Sequence, residues 1–126
     1  MPNYWILKTE PSTYSFDDLE REGTATWDGV KNPVALKHLR AMQPGDEVLI
    51  YHTGDEKAVV GVATVVAAAN PDPTIKAKRR LPRPVTLATI KGDQAFADLP
   101  LVRIGRLSAM PVPAAQFGRI LKLAGA

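Results

Sequence analysis

Apolar residues fall along this chain in short runs, and the period of the runs changes from one segment to the next. YWILKT (Tyr4 to Thr9) is a compact apolar run that stops at Glu10-Pro11, which predicts a buried strand. Pro11 biases Glu10 toward extended backbone, so the strand feeds a loop rather than a helix. Ser15 with Asp18 forms a capping-box variant that starts a short helix from Phe16 to about Glu22, and Gly23 stops it. Thr24 to Trp27 is a brief β-prone piece, and Asp28-Gly29 makes a turn. Asn32 suits an N-cap and Pro33 the first helical position. Val34, Leu36, Leu39 and Met42 then recur at helical spacing, with Lys37, His38 and Arg40 mostly outside.

After the Pro44-Gly45-Asp46 turn the period changes. EVLIYHT (Glu47 to Thr53) predicts a strand, Gly54 to Lys57 a hairpin loop, and the valine-rich AVVGVATVVAAAN (Ala58 to Asn70) a long strand. Gly61 inside that strand predicts a bulge or a close neighbour. Pro71 and Pro73 exclude a central strand and make Asn70 to Pro73 a loop. IKAKRRLPR has no clear period. PVTLATIK (Pro84 to Lys91) reads as a strand or partly a short helix, and Leu101 to Leu107 as a final strand. Pro113 starts a helix with Phe117, Ile120, Leu121 and Leu123 on its apolar face, ended by Gly125. About five strands at short intervals, mostly antiparallel, with short helices near both ends, predict an α+β fold built on a small barrel.

The length of 126 residues allows one domain spanning 1–126, and 45% hydrophobic content supports a real core. No cysteine is present, which removes disulfides and thiolate metal sites and fits a reducing, cytoplasmic setting. The N-terminus carries no basic leader with a long apolar run, and no window approaches the ~18 apolar residues of a membrane helix. The net charge of +3 hides an asymmetry. Residues 1–75 sum to −5 and residues 76–126 to +8. Two readings of this stand: a polyanion partner on one side, or a solvated basic surface.

Catalytic motifs are missing. His38 and His52 have no metal spacing, and no nucleophile elbow or glycine-rich phosphate cradle occurs. No metal or cofactor is expected. The acids Asp17, Asp18, Glu20 and Glu22 are explained by a solvated helix face. Trp27 stands between a strand and a turn, either packed in the core or left as a wall on which a planar ligand stacks. Asp28 and Asn32 could supply edge hydrogen bonds and Gly29 close backbone approach. Lys76, Lys78, Arg79, Arg80 and Arg83 form a run without acids that suits phosphate contacts, or else a solvated loop.

Several blocks resemble one family in order along nearly the whole chain. They are YWILKTEPSTYSFDDL, TWDGVKNPVALKHLRAMQPGDEVLIYHT, VVGVATVVAAANPDPT, RPVTLATIK and LVRIGRLSAMPVPAAQFGRIL. Together they resemble the EVE domain family. The resemblance implies a PUA-like β-barrel and a non-enzymatic reader of modified bases, notably methylated or hydroxymethylated cytosine in DNA, which is favoured over RNA. A nucleic-acid partner and no membrane are expected, with the oligomeric state left open and a monomer favoured. By position, Lys8, Thr9, Glu10 and Pro11 would line the floor of a base pocket, with Tyr14 and Ser15 at its rim. Trp27 would be a wall, and Asp28, Gly29, Val30 and Asn32 would come round to the same opening. Tyr51 and His52 would close the pocket, and Asn70, Pro71 and Asp72 would form a loop over the mouth. Lys31, where the family usually has arginine, would join the phosphate contacts. The alternatives are an RNA-binding module of the same fold, or a small-molecule enzyme using Lys8, Glu10 and His52. After PDPT the chain runs directly to Ile75-Lys76, where family members usually carry a further stretch with an aromatic-bearing strand. A chain shortened there would lack a second pocket wall.

Overall fold

The computed structural model describes residues 3–126. Its strands are β1 (Tyr4–Thr9), β2 (Thr24–Thr26), β3 (Glu47–His52), β4 (Ala58–Ala67), β5 (Thr74–Thr86) and β6 (Ala109–Val112). Its helices are α1 (Phe16–Glu22), α2 (Pro33–Ala41), α3 (Leu87–Lys91), α4 (Pro100–Arg103) and α5 (Ala114–Leu123), with a 3₁₀ turn at Gln94–Phe96. The strands form one mixed sheet in the order β2-β5-β4-β3-β1-β6. It curls into a half-barrel of the PUA-like, α+β kind. β1 runs parallel to β3, and the other neighbours are antiparallel. The sheet thus has six strands among the described residues, one more than the sequence predicts, and one parallel pair, β3 with β1.

The apolar runs explain the centre. β1 places Trp5, Ile6 and Leu7 in the core, and β3 buries every residue from Val48 to His52. Such runs without alternation belong to strands covered on both faces. Phe16 and Leu19 of α1, Ala35 and Leu39 of α2, and Phe117 and Ile120 of α5 supply the covering layers. Val34, expected on the buried face of α2, is exposed, and Ala35 takes its place in the core. Gly61 is required by packing: a Cβ there would run into the ring of Phe16.

Two segments depart from expectation. IKAKRRLPR, with PVT after it, is one strand, β5, despite Pro82 and Pro84. The register shows how: Val59 pairs Val85 and Gly61 pairs Arg80, so residues 81–84 all face Val60 alone. Both prolines sit in this bulge, where a missing N–H costs no ladder bond. The strand expected over Leu101–Leu107 is instead α4, with Pro100 in its first turn, followed by a loop. The final strand lies at Ala109–Val112, on the sheet edge, where Pro111 is tolerated.

Candidate functional site

α1 begins with the reciprocal cap the sequence predicts. Ser15 Oγ accepts from Asp18 N at 3.1 Å, and Asp18 Oδ2 accepts from Ser15 N at 2.9 Å. Gly23, at φ 85, ends the helix and turns the chain into β2. β2 pairs with the start of β5, and Trp27 N, just beyond it, donates to Pro73 O at 2.8 Å. Gly29, at φ 78, then bends the backbone away. The Trp27 ring is therefore held by its backbone at the rim of the sheet, and it is only partly buried.

Beside it opens a cleft of about 710 Å³, lined by Lys8, Thr9, Glu10, Thr13, Tyr14, Glu22, Ala25, Thr26, Trp27, Asp28, Gly29 and Val30. The rings of Tyr14 and Trp27 meet edge-on, with centroids 6.1 Å apart and planes at 80°. The Tyr14 hydroxyl donates to Glu22 Oε1 at 2.5 Å. Burial and then this carboxylate push the Tyr14 phenol up to about 12. Lys8 donates to Gly105 O at 2.9 Å and stands 5.7 Å over the Tyr51 ring, and burial lowers its pKa. Glu10 accepts from Ser12 N at 3.1 Å, from Ser12 Oγ at 3.0 Å and from Thr53 Oγ1 at 3.4 Å. The backbone N–H and the hydroxyl of Ser12 hold this carboxyl below the ordinary range. Gly54 stands beside it at φ 77, a left-handed backbone that favours glycine.

The cleft thus gathers Lys8, Thr9, Glu10, Tyr14, Trp27, Asp28, Gly29 and Val30 from the residues that the sequence singles out. It also gathers Thr13, Glu22, Ala25 and Thr26, which the sequence reading passed over. Glu22 had looked like part of a solvated acidic face. Ala25 shares with Trp27 the partly buried side of the alternating Thr24–Trp27 stretch, the one signal that could have found it.

Other expected residues stand elsewhere, each for a local reason. Ser15 is occupied as the cap of α1. Asn32 Oδ1 caps α2, accepting from Val34 N at 2.9 Å and Ala35 N at 3.1 Å. Tyr51 is a core residue only 3% exposed, beneath Lys8. His52 is 6% exposed; its Nε2 accepts from Phe16 N at 3.0 Å, and its Nδ1 lies 2.7 Å from Glu56 Oε1. A backbone N–H can only donate, so Nε2 is the bare nitrogen and Nδ1 carries the proton to Glu56. His52 thereby satisfies the first N–H of α1, one of the helix's four orphan donors. Asn70, Pro71 and Asp72 do not line the cleft; their loop delivers Pro73 to the backbone of Trp27.

The basic run is no free cationic stripe. Lys78 pairs with Glu47, and Arg80 with Asp17 and Glu20 while covering the Phe16 ring at 5.3 Å. Arg83 donates to Leu123 O at 3.3 Å. The side chains of Lys76, Arg79 and Lys31 are exposed and have no hydrogen-bond or ion-pair partner among the described residues. No group of His, Asp and Glu that could hold a metal occurs among the described residues, and no helix there is long and apolar enough to cross a membrane.

Residues 3–123 match the sequence pattern of the EVE domain. The chain belongs to the EVE domain family. Among relatives carrying this domain, mouse thymocyte nuclear protein 1 is 37% identical over 86 residues, which cover 59% of this chain and 38% of the mouse protein. The chain therefore spans well under half the length of that relative. Among solved EVE-like structures, Rpa0253 from Rhodopseudomonas palustris is 36% identical at a TM-score of 0.93, covering 98% of this chain and 93% of that one. Human THYN1, solved in complex with 5-methylcytosine-containing DNA, is 24% identical at a TM-score of 0.89, covering 98% of both chains. At that identity the human structure speaks for the fold.

Proposed function

We propose that this EVE domain is a non-catalytic nucleic-acid reader that holds one modified base, DNA in preference to RNA, against the ring of Trp27. The observation that carries the proposal is the open cleft beside an indole that the fold leaves partly uncovered. The DNA-bound state of human THYN1 supports a polynucleotide carrying 5-methylcytosine as the partner class. The base would be flipped from a duplex or captured from a single strand. Removing a base from its stack costs a few kcal/mol. Stacking on one ring returns about 1–3 kcal/mol, so edge hydrogen bonds from the cleft must make up the rest. Apolar contact with a single methyl adds about 1–3 kcal/mol of discrimination. An enzymatic reading built on Lys8, Glu10 and His52 is disfavoured by the engagement of both His52 nitrogens at Phe16 and Glu56, away from the cleft.

The test is binding of the purified protein, at one fixed salt concentration, to matched DNA and RNA oligonucleotides bearing cytosine, 5-methylcytosine, 5-hydroxymethylcytosine or N6-methyladenine. The wild type is expected to favour a modified DNA. Trp27→Ala is expected to weaken that binding by about 1–3 kcal/mol while keeping its circular dichroism spectrum. Undiminished binding by Trp27→Ala overturns the stacking role, and tighter binding of the RNA series moves the assignment to RNA.

A further inference from the structure

Glu22 breaks the pattern of its own helix. α1 carries two acids in its first turn, Asp17 and Asp18, and a base, Arg21, in its last. Both suit the helix dipole, positive at the N-terminal end and negative at the C-terminal end. Glu22 is the last residue of α1, where a carboxylate meets the orphan carbonyls of the helix end and is disfavoured. A solvated face gives no reason for an acid at that place. The one hydrogen bond of its carboxylate among the described residues does: Oε1 accepts from the Tyr14 hydroxyl at 2.5 Å.

That bond completes the fixing of Tyr14. The Tyr14 backbone N–H donates to Glu10 O at 2.8 Å, and its backbone O accepts from Thr9 Oγ1 at 2.6 Å. Backbone and hydroxyl are then both tied, and the ring between them is held. The phenol, pushed up to about 12, keeps its proton at neutral pH and so stays a donor. Trp27 is held only at its backbone, by Pro73 O, and its indole is partly uncovered. Tyr14 is the one aromatic ring set against that indole among the described residues.

We propose that Glu22 is a positioning residue for the base: through the Tyr14 hydroxyl it holds the Trp27 indole in one orientation, a face open to the cleft, before any ligand arrives. This rests on the stacking role of Trp27 proposed above. Glu22 acts without touching the base. A wall that is already ordered loses no rotamer freedom on binding, whereas ordering one such side chain weakens affinity about two- to tenfold. The charge of Glu22 gives the test its sign. A carboxylate at the cleft repels phosphate, so its removal, judged by charge alone, tightens the binding of a polyanion. Its removal as a positioning residue weakens that binding.

The intact protein is titrated, at fixed salt, with the modified DNA oligonucleotide that it binds most tightly in the series above. Glu22→Ala and Tyr14→Phe are each expected to weaken binding about two- to tenfold. Glu22→Gln, which keeps an acceptor and loses the charge, is expected to bind at least as tightly as wild type. Glu22→Ala added to Trp27→Ala is expected to cause no further loss, because its effect runs through the indole. Time-resolved anisotropy of the indole fluorescence of the ligand-free protein reads the cause. Trp5 is buried and bonded to Asp46, so a new fast component reports Trp27. It is expected on the nanosecond scale or faster in Glu22→Ala and Tyr14→Phe and not in Glu22→Gln. Glu22→Ala binding as tightly as wild type or more so, Glu22→Gln weakened to the same degree, a further loss in the double variant, or an unchanged anisotropy decay overturns the proposal. If Trp27→Ala weakens binding and Glu22→Ala does not, the positioning role fails and the stacking role stands. A wild type that binds none of the oligonucleotides, or binding undiminished in Trp27→Ala, overturns both.

Discussion

The chain has two tryptophans, and the fold treats them in opposite ways. Trp5 lies on β1, one strand in from the β6 edge of the sheet, 6% exposed, and its Nε1 donates to Asp46 Oδ2 at 3.0 Å. Asp46, itself 4% exposed, also accepts from Asn3 N and Gln43 N, both at 3.0 Å. The polar handle of Trp5 and the carboxylate that receives it are thus both satisfied inside the protein, as buried polar groups must be. Trp27 lies past the last residue of an edge strand, partly uncovered, and its indole N–H has no acceptor among the described residues. The same side chain serves as a structural bolt at one end of the sheet and as open surface at the other. What separates them is whether the fold supplies a partner for the ring's polar edge.

The sharpest way to break this contrast is to remove each ring in turn. Trp5→Ala should lose about 3–5 kcal/mol of folding free energy in urea denaturation, the usual range for deleting a buried large aromatic. Trp27→Ala should lose under about 1.5 kcal/mol, mostly the edge contact with Tyr14, with its main effect on ligand affinity. Similar stability losses at the two sites would mean that Trp27 is a core residue.

The next largest effect is at the partner of Trp5. Asp46→Ala leaves the Trp5 N–H and two backbone N–H groups without their acceptor and should cost about 2–3 kcal/mol. Burial raises the Asp46 carboxyl, but the N–H groups of Asn3, Gln43 and Trp5 outweigh it and hold the group below its ordinary value. The folded protein therefore binds this proton less readily than the unfolded chain. The resulting stability is fully present above the unfolded pKa of about 3.9 and is lost as pH falls through the folded value. Asp46→Asn should accordingly lose less stability than wild type when urea midpoints are compared from pH 6 down to pH 3. Parallel loss in the two proteins would show that the acid sensitivity lies in other carboxylates.

The contrast also shows what the sequence could and could not carry. β1, the Ser15–Asp18 cap and the Asn32–Pro33 helix start were legible because a few adjacent residues decide each of them. The fate of the two rings was not, because it depends on Asp46 and Pro73, far away in the chain. The same limit hid Glu22, whose helix face turns toward Tyr14, and it misplaced Asn32 and His52, whose polar atoms are consumed by caps on α2 and α1. β5 was unreadable because its prolines fall in a bulge that exists only against β4. The charge asymmetry between the two stretches of chain is real in sequence but partly cancels in space: Asp17, Glu20 and Glu47 meet Arg80 and Lys78 across the fold.

That cancellation gives the smallest and most selective prediction. If nucleic acid runs along β5 toward the Trp27 cleft, its phosphates should use the cations that the protein has not already paired. Each phosphate neutralised contributes about 0.9 to the slope of log affinity against log salt on duplex DNA. Arg79→Ala and Lys76→Ala should each flatten that slope by close to this amount while leaving the ratio between modified and unmodified oligonucleotides unchanged. Arg80→Ala should change the slope much less, because Asp17 and Glu20 already hold that guanidinium and their own charges are released when it is removed. A slope that falls equally for all three would mean that these exposed ion pairs open on binding and that the whole basic run acts as one phosphate track. A slope untouched by any of them would place the backbone on another face, with Lys31, beside the Asp28-Gly29 turn, as the next cation to remove.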